Sequence, residues 1–174
     1  RGRAELALWR ARPEDAAAAV ADGLRLTSDD EMRARLCWLG LRAAADVAEH
    51  QRATTGTWDA RPEAAELARL LGRLEERALG RRAPAASEVR AAVATGEAER
   101  ARLEGRAEPE RWAEAARRWD GLGFPAPAGY CRWRQAAAEL SAGRRAEALP
   151  LWRAAWQGAA DLGADGQREA IEAD

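Results

Sequence analysis

The stretch AGRRAEALPLWRAA, residues 142–155, decides how the chain is interpreted. Gly143 marks a turn, Ala148 follows five positions later, Trp152 four after that, and Ala155 three after that. Spacings of three and four residues place these side chains on one face of an α-helix. The face combines one large aromatic ring with small alanines, which lets another helix approach closely. The segment therefore predicts a helix that follows a glycine turn and packs tightly against a neighbour.

The remainder of the chain has the composition of an all-α protein. Ala is the commonest residue, followed by Leu, Arg and Glu, and there is a single Ile. Alanine and leucine favour helices, whereas the scarce β-branched residues are the ones that favour strands. We therefore predict an all-α fold.

Proline, glycine and capping residues divide the chain into eight predicted helices, with a ninth beginning near Gly166. The sequence Ser28-Asp29-Asp30-Glu31 has the form of a capping box in front of the third helix. Ser87 is predicted to cap the fifth. Pro150 falls inside the eighth helix, where proline removes a hydrogen bond and costs about 3 kcal/mol. We expect a bend at that residue.

The predicted core consists of apolar stripes along these helices. Leu6 and Trp9 share one face of the first helix, and Trp112, Trp119 and Trp152 lie on the apolar faces of later helices. A core rich in alanine needs some large side chains, and each buried aromatic residue removes about 150–250 Å² from water. We therefore assign the four tryptophans to the core.

The residue inventory excludes several kinds of chemistry. All 28 basic residues are Arg, so there is no P-loop lysine and no Schiff-base lysine. The single histidine, His50, excludes multi-histidine metal sites and is interpreted as a solvated residue at a helix end. No carboxylate pair stands out by its spacing. We therefore predict no catalytic, metal-binding or cofactor-binding residue in this segment.

Charge and cysteine content give expectations about partners and location. The net charge of −1 and the pI of about 6.1 lack the strong positive charge of a nucleic-acid-binding domain. Arginine pairs such as Arg117-Arg118 have acidic neighbours within a turn, so they are interpreted as surface ion pairs. Cys37 and Cys131 form no CxxC pair and suit free thiols in a reducing compartment. No apolar stretch approaches the roughly 20 residues that span a bilayer. We expect a cytoplasmic protein without membrane contact.

The segment 142–155 resembles the second helix of a tetratricopeptide repeat, in which small residues stand where two helices cross. Helices joined by short turns form either closed bundles or solenoids, and the small residues favour a solenoid. We therefore predict a tetratricopeptide-like α-solenoid of antiparallel helical hairpins over residues 1–174, less regular around 55–107. Because the chain begins with Arg1 and not with Met, we expect a piece of a longer polypeptide.

Four further stretches carry a wider resemblance. They are LALWRARPEDA (6–16), WAEAA (112–116), YCRWRQA (130–136) and ADLGA (160–164). In this order they resemble the helical-repeat region of large ATP-binding LuxR-type transcriptional regulators of actinobacteria. The resemblance implies a non-catalytic scaffold that couples the sensing of a ligand or partner to DNA binding. ATP would be bound by a separate ATPase module, and DNA by a helix-turn-helix domain outside this segment.

The candidate partner-binding residues are aromatic or lie beside aromatic residues. In the predicted solenoid, Tyr130, Trp133 and Ala137 lie on the first helix of a hairpin, which lines the concave surface and contacts a peptide or protein. The alternative places the two rings in the core. Trp58 lies in a predicted loop, where an exposed tryptophan is a candidate contact. Two alternative functions stay open: a freestanding peptide-binding repeat protein and a small all-α enzyme.

Overall fold

The computed structural model describes residues 1–58, 62–79 and 84–173. Within these ranges the chain forms nine α-helices and no strand, which confirms the predicted all-α fold class. The helices are α1 (Gly2–Trp9), α2 (Pro13–Leu26), α3 (Asp30–Thr55), α4 (Pro62–Ala78), α5 (Pro84–Leu103), α6 (Pro109–Gly121), α7 (Pro125–Ser141), α8 (Arg145–Asp161) and α9 (Asp165–Ala173).

The helices belong to two compact units. Unit 1, Arg1–Arg106, contains α1 to α5, and unit 2, Ala107–Asp174, contains α6 to α9. The solenoid arrangement and its continuity over 1–174 stay predictions.

Helix α3 is the centre of unit 1. It packs against α2, α4 and α5 and also touches α1. Every residue from Leu36 to Ala43 is buried, so α3 is covered on all sides along this stretch. A helix that is buried all round must be apolar or small on most of its surface, which the run LCWLGL at 36–41 provides.

Two glycines allow α4 to lie close to its neighbours in unit 1. A Cβ atom added to Gly40 of α3 would lie 2.6 Å from Cδ1 of Leu67 in α4. A Cβ atom added to Gly96 of α5 would overlap the Leu71 side chain of α4. The two leucines therefore occupy space that any other residue at positions 40 and 96 would fill.

Unit 2 is built from helices that pack in chain order, with α6 on α7, α7 on α8 and α8 on α9. Its three turns share one geometry, since Gly123, Gly143 and Gly163 all have positive φ, at 73°, 76° and 62°. After Gly123 the Phe124 N–H donates to the Trp119 carbonyl at 3.0 Å, and the equivalent bonds after the other two glycines measure 2.8 and 2.9 Å. This is a Schellman motif, which ends a helix and starts the next within a few residues.

Aromatic rings fill the core of unit 2. Trp119 and Tyr130 are almost fully buried, and Trp112 is only 3% exposed. Tyr130 makes edge-to-face contacts with Trp112 at 6.0 Å and with Trp133 at 5.9 Å between ring centroids. The prediction of core positions is confirmed for Trp112 and Trp119, whereas Trp9 and Trp152 are only half-buried.

Two predicted helix caps were wrong. The cap of α3 is Asp29, whose carboxylate accepts from the Met32 N–H at 2.7 Å, so Ser28 does not form the predicted capping box. The helix begins one residue later than the box requires, and the cap moves with it. Helix α5 begins at Pro84, which places Ser87 inside the first turn instead of at the cap.

The apolar face of α1 was also predicted incorrectly. Its buried residues are Ala4, Ala7 and Leu8, whereas Leu6 is 49% exposed. Trp9 is covered on one side by the Arg42 guanidinium, whose Cζ lies 4.0 Å from the ring centroid. The buried face of α1 is therefore formed by two alanines and Leu8, not by Leu6 and Trp9. In unit 2, α8 continues as an α-helix through Pro150.

Candidate functional site

The four predicted partner-binding residues are distributed over both units. Tyr130 and Trp133 are 2% and 7% exposed and belong to the core of unit 2. Ala137, one turn further along α7, is half-buried. Trp58 is half-buried in unit 1, where the Cζ of Arg52 lies 5.7 Å from its ring centroid. Tyr130, Trp133 and Ala137 therefore lie together on α7 in unit 2, whereas Trp58 belongs to unit 1. Their role in binding stays a prediction.

A pocket of about 460 Å³ lies in unit 1, between α2, α3 and α4. Its floor is formed by small residues of α3 and its walls by larger apolar residues of α2 and α4. The lining residues that matter for its shape are Gly40, Ala43, Ala44 and Val47 on α3, Ala17, Val20 and Leu24 on α2, and Leu67 and Leu70 on α4. A mostly apolar pocket of this volume falls within the range of small-molecule binding sites.

The apolar lining of the pocket comes from one stripe of residues on each of its three helices. Each helix contributes residues spaced by three or four positions, so each presents one continuous stripe to the others. On α3 the stripe consists of small residues next to Val47. The Leu67 side chain covers Gly40, so the open part of the pocket lies over the half-buried Ala44 and Val47. Helices α2 and α4 both pack on α3, and the space above its small residues becomes the pocket.

The polar groups of the pocket all belong to α4. Glu63 and Glu66 stand three residues apart, so their side chains lie on the same side of the helix. Both are exposed, and neither has an ion-pair partner among the described residues. Arg73 also lines the pocket, but ten residues of helix from Glu63 correspond to about 15 Å. One end of the pocket is therefore acidic.

A buried cluster of charged side chains joins α3 to α5 in unit 1. Arg102 of α5 is 6% exposed, and its Nε donates to Glu99 Oε2 at 2.8 Å. Its Nη1 donates to Glu49 Oε2 at 2.7 Å, and its Nη2 donates to Asp46 Oδ1 at 2.6 Å and to the Arg42 carbonyl at 3.2 Å. Buried charges need this degree of pairing, because an unpaired one costs several kcal/mol.

A second arginine connects the ends of the same two helices. Arg52 of α3 donates to the carbonyls of Leu103 and Arg102 at 2.9 and 3.0 Å. These carbonyls belong to the last turn of α5, where the helix itself provides no donor. The positive charge also complements the negative end of the α5 dipole. Arg52 therefore acts as a cap that comes from another helix.

A smaller and more polar cavity, of about 310 Å³, lies where α3 begins. Ser28, Asp29, Asp30 and Glu31 line it together with apolar residues of α4 and α5. Burial raises the pKa of Glu31 above its ordinary value, and the nearby carboxylates of Glu88 and Asp29 raise it further. Its acidic lining does not point to a particular ligand.

Few other groups in the described residues suggest chemistry. His50 is exposed near the end of α3, and no group of three or more His, Cys, Asp or Glu side chains is arranged to hold a metal ion in the part of the chain that the structure describes. Cys37 and Cys131 are buried free thiols. Burial raises the pKa of Cys37 to about 12.

The comparisons with known proteins gave no relative: no family model, no curated protein and no solved structure matches this chain. Among the helices of the described ranges, none has the length and apolar character needed to cross a lipid bilayer.

Sequence reasoning missed both the pocket and the charged cluster. For the pocket there was a partial signal in the sequence, since α2 and α4 each carry an apolar stripe and Glu63 and Glu66 flank that of α4. For the cluster there was no local signal, because Arg102 pairs with residues 53 and 56 positions away.

Proposed function

We propose that this chain is a non-catalytic interaction scaffold, the tetratricopeptide-like segment of a large ATP-dependent LuxR-type transcriptional regulator. It binds a small ligand, or a protein or peptide partner, and transmits that binding to a separate DNA-binding domain. ATP and DNA are bound by other modules of the full protein, which we place in the actinobacterial cytoplasm. Its own ATPase and helix-turn-helix domains are among the partners.

One observation supports this proposal: the helices of unit 2 pack in chain order and are joined by turns of one repeated geometry. Gly143 and Gly163 form turns of the same Schellman geometry, and Tyr130 of α7 packs edge-to-face on Trp112 of α6. Such positions are the ones a helical repeat must keep, since each hairpin buries its apolar face only against the next. This supports a repeat scaffold.

The structure also suggests how binding is transmitted within unit 1. Ala43 and Ala44 of α3 line the pocket, while Arg42 and Asp46 on the same helix contact Arg102 of α5. A ligand that shifts α3 changes these ion pairs, because a packed helix moves as a rigid element. Helix α5 then responds to what the pocket contains.

The decisive test is the coding sequence on either side of Arg1 and Asp174. A nucleotide-binding P-loop upstream and a helix-turn-helix downstream are expected. Stop codons on both sides, or unrelated domains, would overturn the regulator and leave the freestanding peptide-binding protein as the function. Filter binding of the segment to radiolabelled ATP and to promoter DNA should show neither complex, and tight binding of either would contradict the assignment of these ligands to other modules.

A further inference from the structure

We propose that the pocket between α2, α3 and α4 binds a small cationic amphiphile, with an apolar body and one ammonium group. The apolar body lies on the α3 floor, and the ammonium group lies beside Glu63 and Glu66. This inference rests on the proposed function and deepens it, because it names the class of ligand that the scaffold senses.

The floor of the pocket requires an apolar body. Gly40, Ala43 and Ala44 carry no polar side-chain atom, and the backbone of α3 is hydrogen-bonded within the helix. A polar group placed there would lose its water without gaining a partner, at a cost of roughly 1–3 kcal/mol. Half-buried Leu67 and Leu70 on the wall gain by covering an apolar body.

The charge at one end of the pocket selects the head group. Glu63 and Glu66 bring two negative charges, which outweigh the half positive charge at the N-terminal end of α4. Glu75 and Glu76 of the same helix are surface carboxylates as well, but of the carboxylates that the structure describes only Glu63 and Glu66 line the pocket. An ammonium group would supply the cation that these two carboxylates lack among the described residues.

The positive charges near this end do not cancel that preference. Arg73 lies about 15 Å from Glu63 along the helix, which exceeds the roughly 8 Å Debye length at physiological ionic strength. Arg12, next to the lining residue Pro13, lies 3.8 Å from Asp15 and is paired with it. Arg69 follows Glu66 by three residues but does not line the pocket. Within the described ranges, the pocket lining at the Glu63 end therefore carries two negative charges and no positive charge, which favours a cation.

The test compares three ligands that share an apolar chain and differ in the head group. n-Octylammonium, 1-octanol and octanoate are titrated into the protein by isothermal titration calorimetry below their micelle concentrations. We expect n-octylammonium to bind at least tenfold more tightly than 1-octanol, and octanoate more weakly than either. The advantage of the ammonium head should shrink in 1 M NaCl, where the Debye length is about 3 Å.

Two matched pairs of variants locate the site. Ala17→Trp fills the pocket from the α2 wall and should abolish binding, whereas Ala18→Trp, also exposed but outside the lining, should leave it unchanged. The double variant Glu63→Gln/Glu66→Gln should reduce the preference for the ammonium head to less than threefold and keep the affinity for 1-octanol. Glu75→Gln/Glu76→Gln on the same helix is its control, since neither residue lines the pocket.

Each alternative outcome contradicts the proposal. Equal affinity for n-octylammonium and 1-octanol would remove the role of the carboxylates. If Ala17→Trp still binds the ligand, the site lies elsewhere. If none of the three ligands gives a heat of binding up to 1 mM, the pocket is not a site for this class of ligand. These titrations do not depend on the flanking coding sequence. The proposal of a LuxR-type regulator can therefore be refuted while ligand binding in the pocket is confirmed, or the other way round.

Discussion

The two units of this chain use the same composition in different ways. In unit 1 a central helix, α3, is surrounded by α2, α4 and α5, and the buried Arg102 makes ion pairs with residues more than fifty positions away. In unit 2 each helix packs on the next one in the chain, through repeated glycine turns and an aromatic core. The pocket lies in the unit where one helix packs against several others.

This difference shows what small residues do in a helical protein. In unit 1 Gly40 of α3 lets α4 approach closely, and the alanines of α3 line the pocket. In unit 2 alanines face tryptophan and tyrosine rings, which fill the space between helices. Among the residues that the structure describes, no aromatic side chain lines the space between α2, α3 and α4, and a pocket large enough for a small ligand remains there.

The largest effect on stability is expected from replacing the buried Arg102 of unit 1. Arg102→Met leaves Glu99, which is fully buried, beside Asp46 and Glu49 without the guanidinium that binds all three. Removing one partner of a buried pair costs about 3–5 kcal/mol, and we expect a loss of that size. Urea denaturation measures the loss. Native-state alkylation shows which unit opens, because Cys37 lies in unit 1 and Cys131 in unit 2.

Arg100→Met is the matched control for Arg102→Met. Arg100 pairs with Glu97 near the surface at 3.0 Å, so its replacement should cost less than about 1 kcal/mol. The alkylation rate of Cys37 should rise far more than that of Cys131 in the Arg102 variant only. If Arg102→Met costs as little as its control, the cluster does not hold α3 to α5.

The next prediction concerns the close approach of α4 in unit 1. Gly96→Ala places a methyl group into the Leu71 side chain, so we expect a loss of about 1–3 kcal/mol in the free energy of unfolding. Gly72→Ala on α4 has no neighbour within 4 Å and should gain up to about 1 kcal/mol from helix propensity. Chemical denaturation of both variants checks this, and equal effects would contradict the tight packing at Gly96.

The turns provide a comparison between the units. Gly143→Ala forces a left-handed conformation on a residue with a Cβ atom, which costs about 1–2 kcal/mol. Ala11 already has this conformation in unit 1, with φ of 53°, and Arg12 donates to the Ala7 carbonyl as in the Schellman turns of unit 2. Ala11→Gly should therefore stabilise the protein by about 0.5 kcal/mol. Thermal unfolding of both variants tests the prediction, and a destabilised Ala11→Gly variant would refute it.

The smallest effect is a pH dependence that comes from Cys37. Its pKa in the folded protein is about 12, against 9.0 for an ordinary thiol. Between these values the unfolded chain loses the proton first, so the folded state binds more protons and stability falls as pH rises. From pH 8 to pH 10 the loss should be about 1 kcal/mol. Urea denaturation of Cys37→Ala should show a shallower decline over this range, and an unchanged slope would contradict the prediction.

Local features could be predicted from the sequence because neighbouring residues determine them. The all-α class, the turn at Gly143, the core positions of Trp112 and Trp119, and the surface ion pair of Arg118 with Glu114 at 2.8 Å were all predicted and are confirmed. The predicted cap at Ser28 was wrong because several consecutive residues there can cap a helix, and a shift of one residue in the helix start makes Asp29 the cap.

Features that depend on distant residues could not be predicted in the same way. The sequence predicts surface ion pairs only for adjacent arginines and predicts nothing for Arg102, which is buried. Its burial follows from the packing of α5 on α3, which no local pattern reveals. The pocket likewise depends on α2 and α4 lying on either side of the small residues of α3.

The ion pairs between α3 and α5 have a consequence for synthesis of the chain. Asp46 and Glu49 emerge from the ribosome more than fifty residues before Arg102, and they stay without it until α5 has been made. We expect the nascent unit 1 to stay open and accessible to chaperones over this interval, whereas unit 2 can dock each helix as it emerges. A translation pause shortly after α5 would therefore favour completion of the first unit before the second begins.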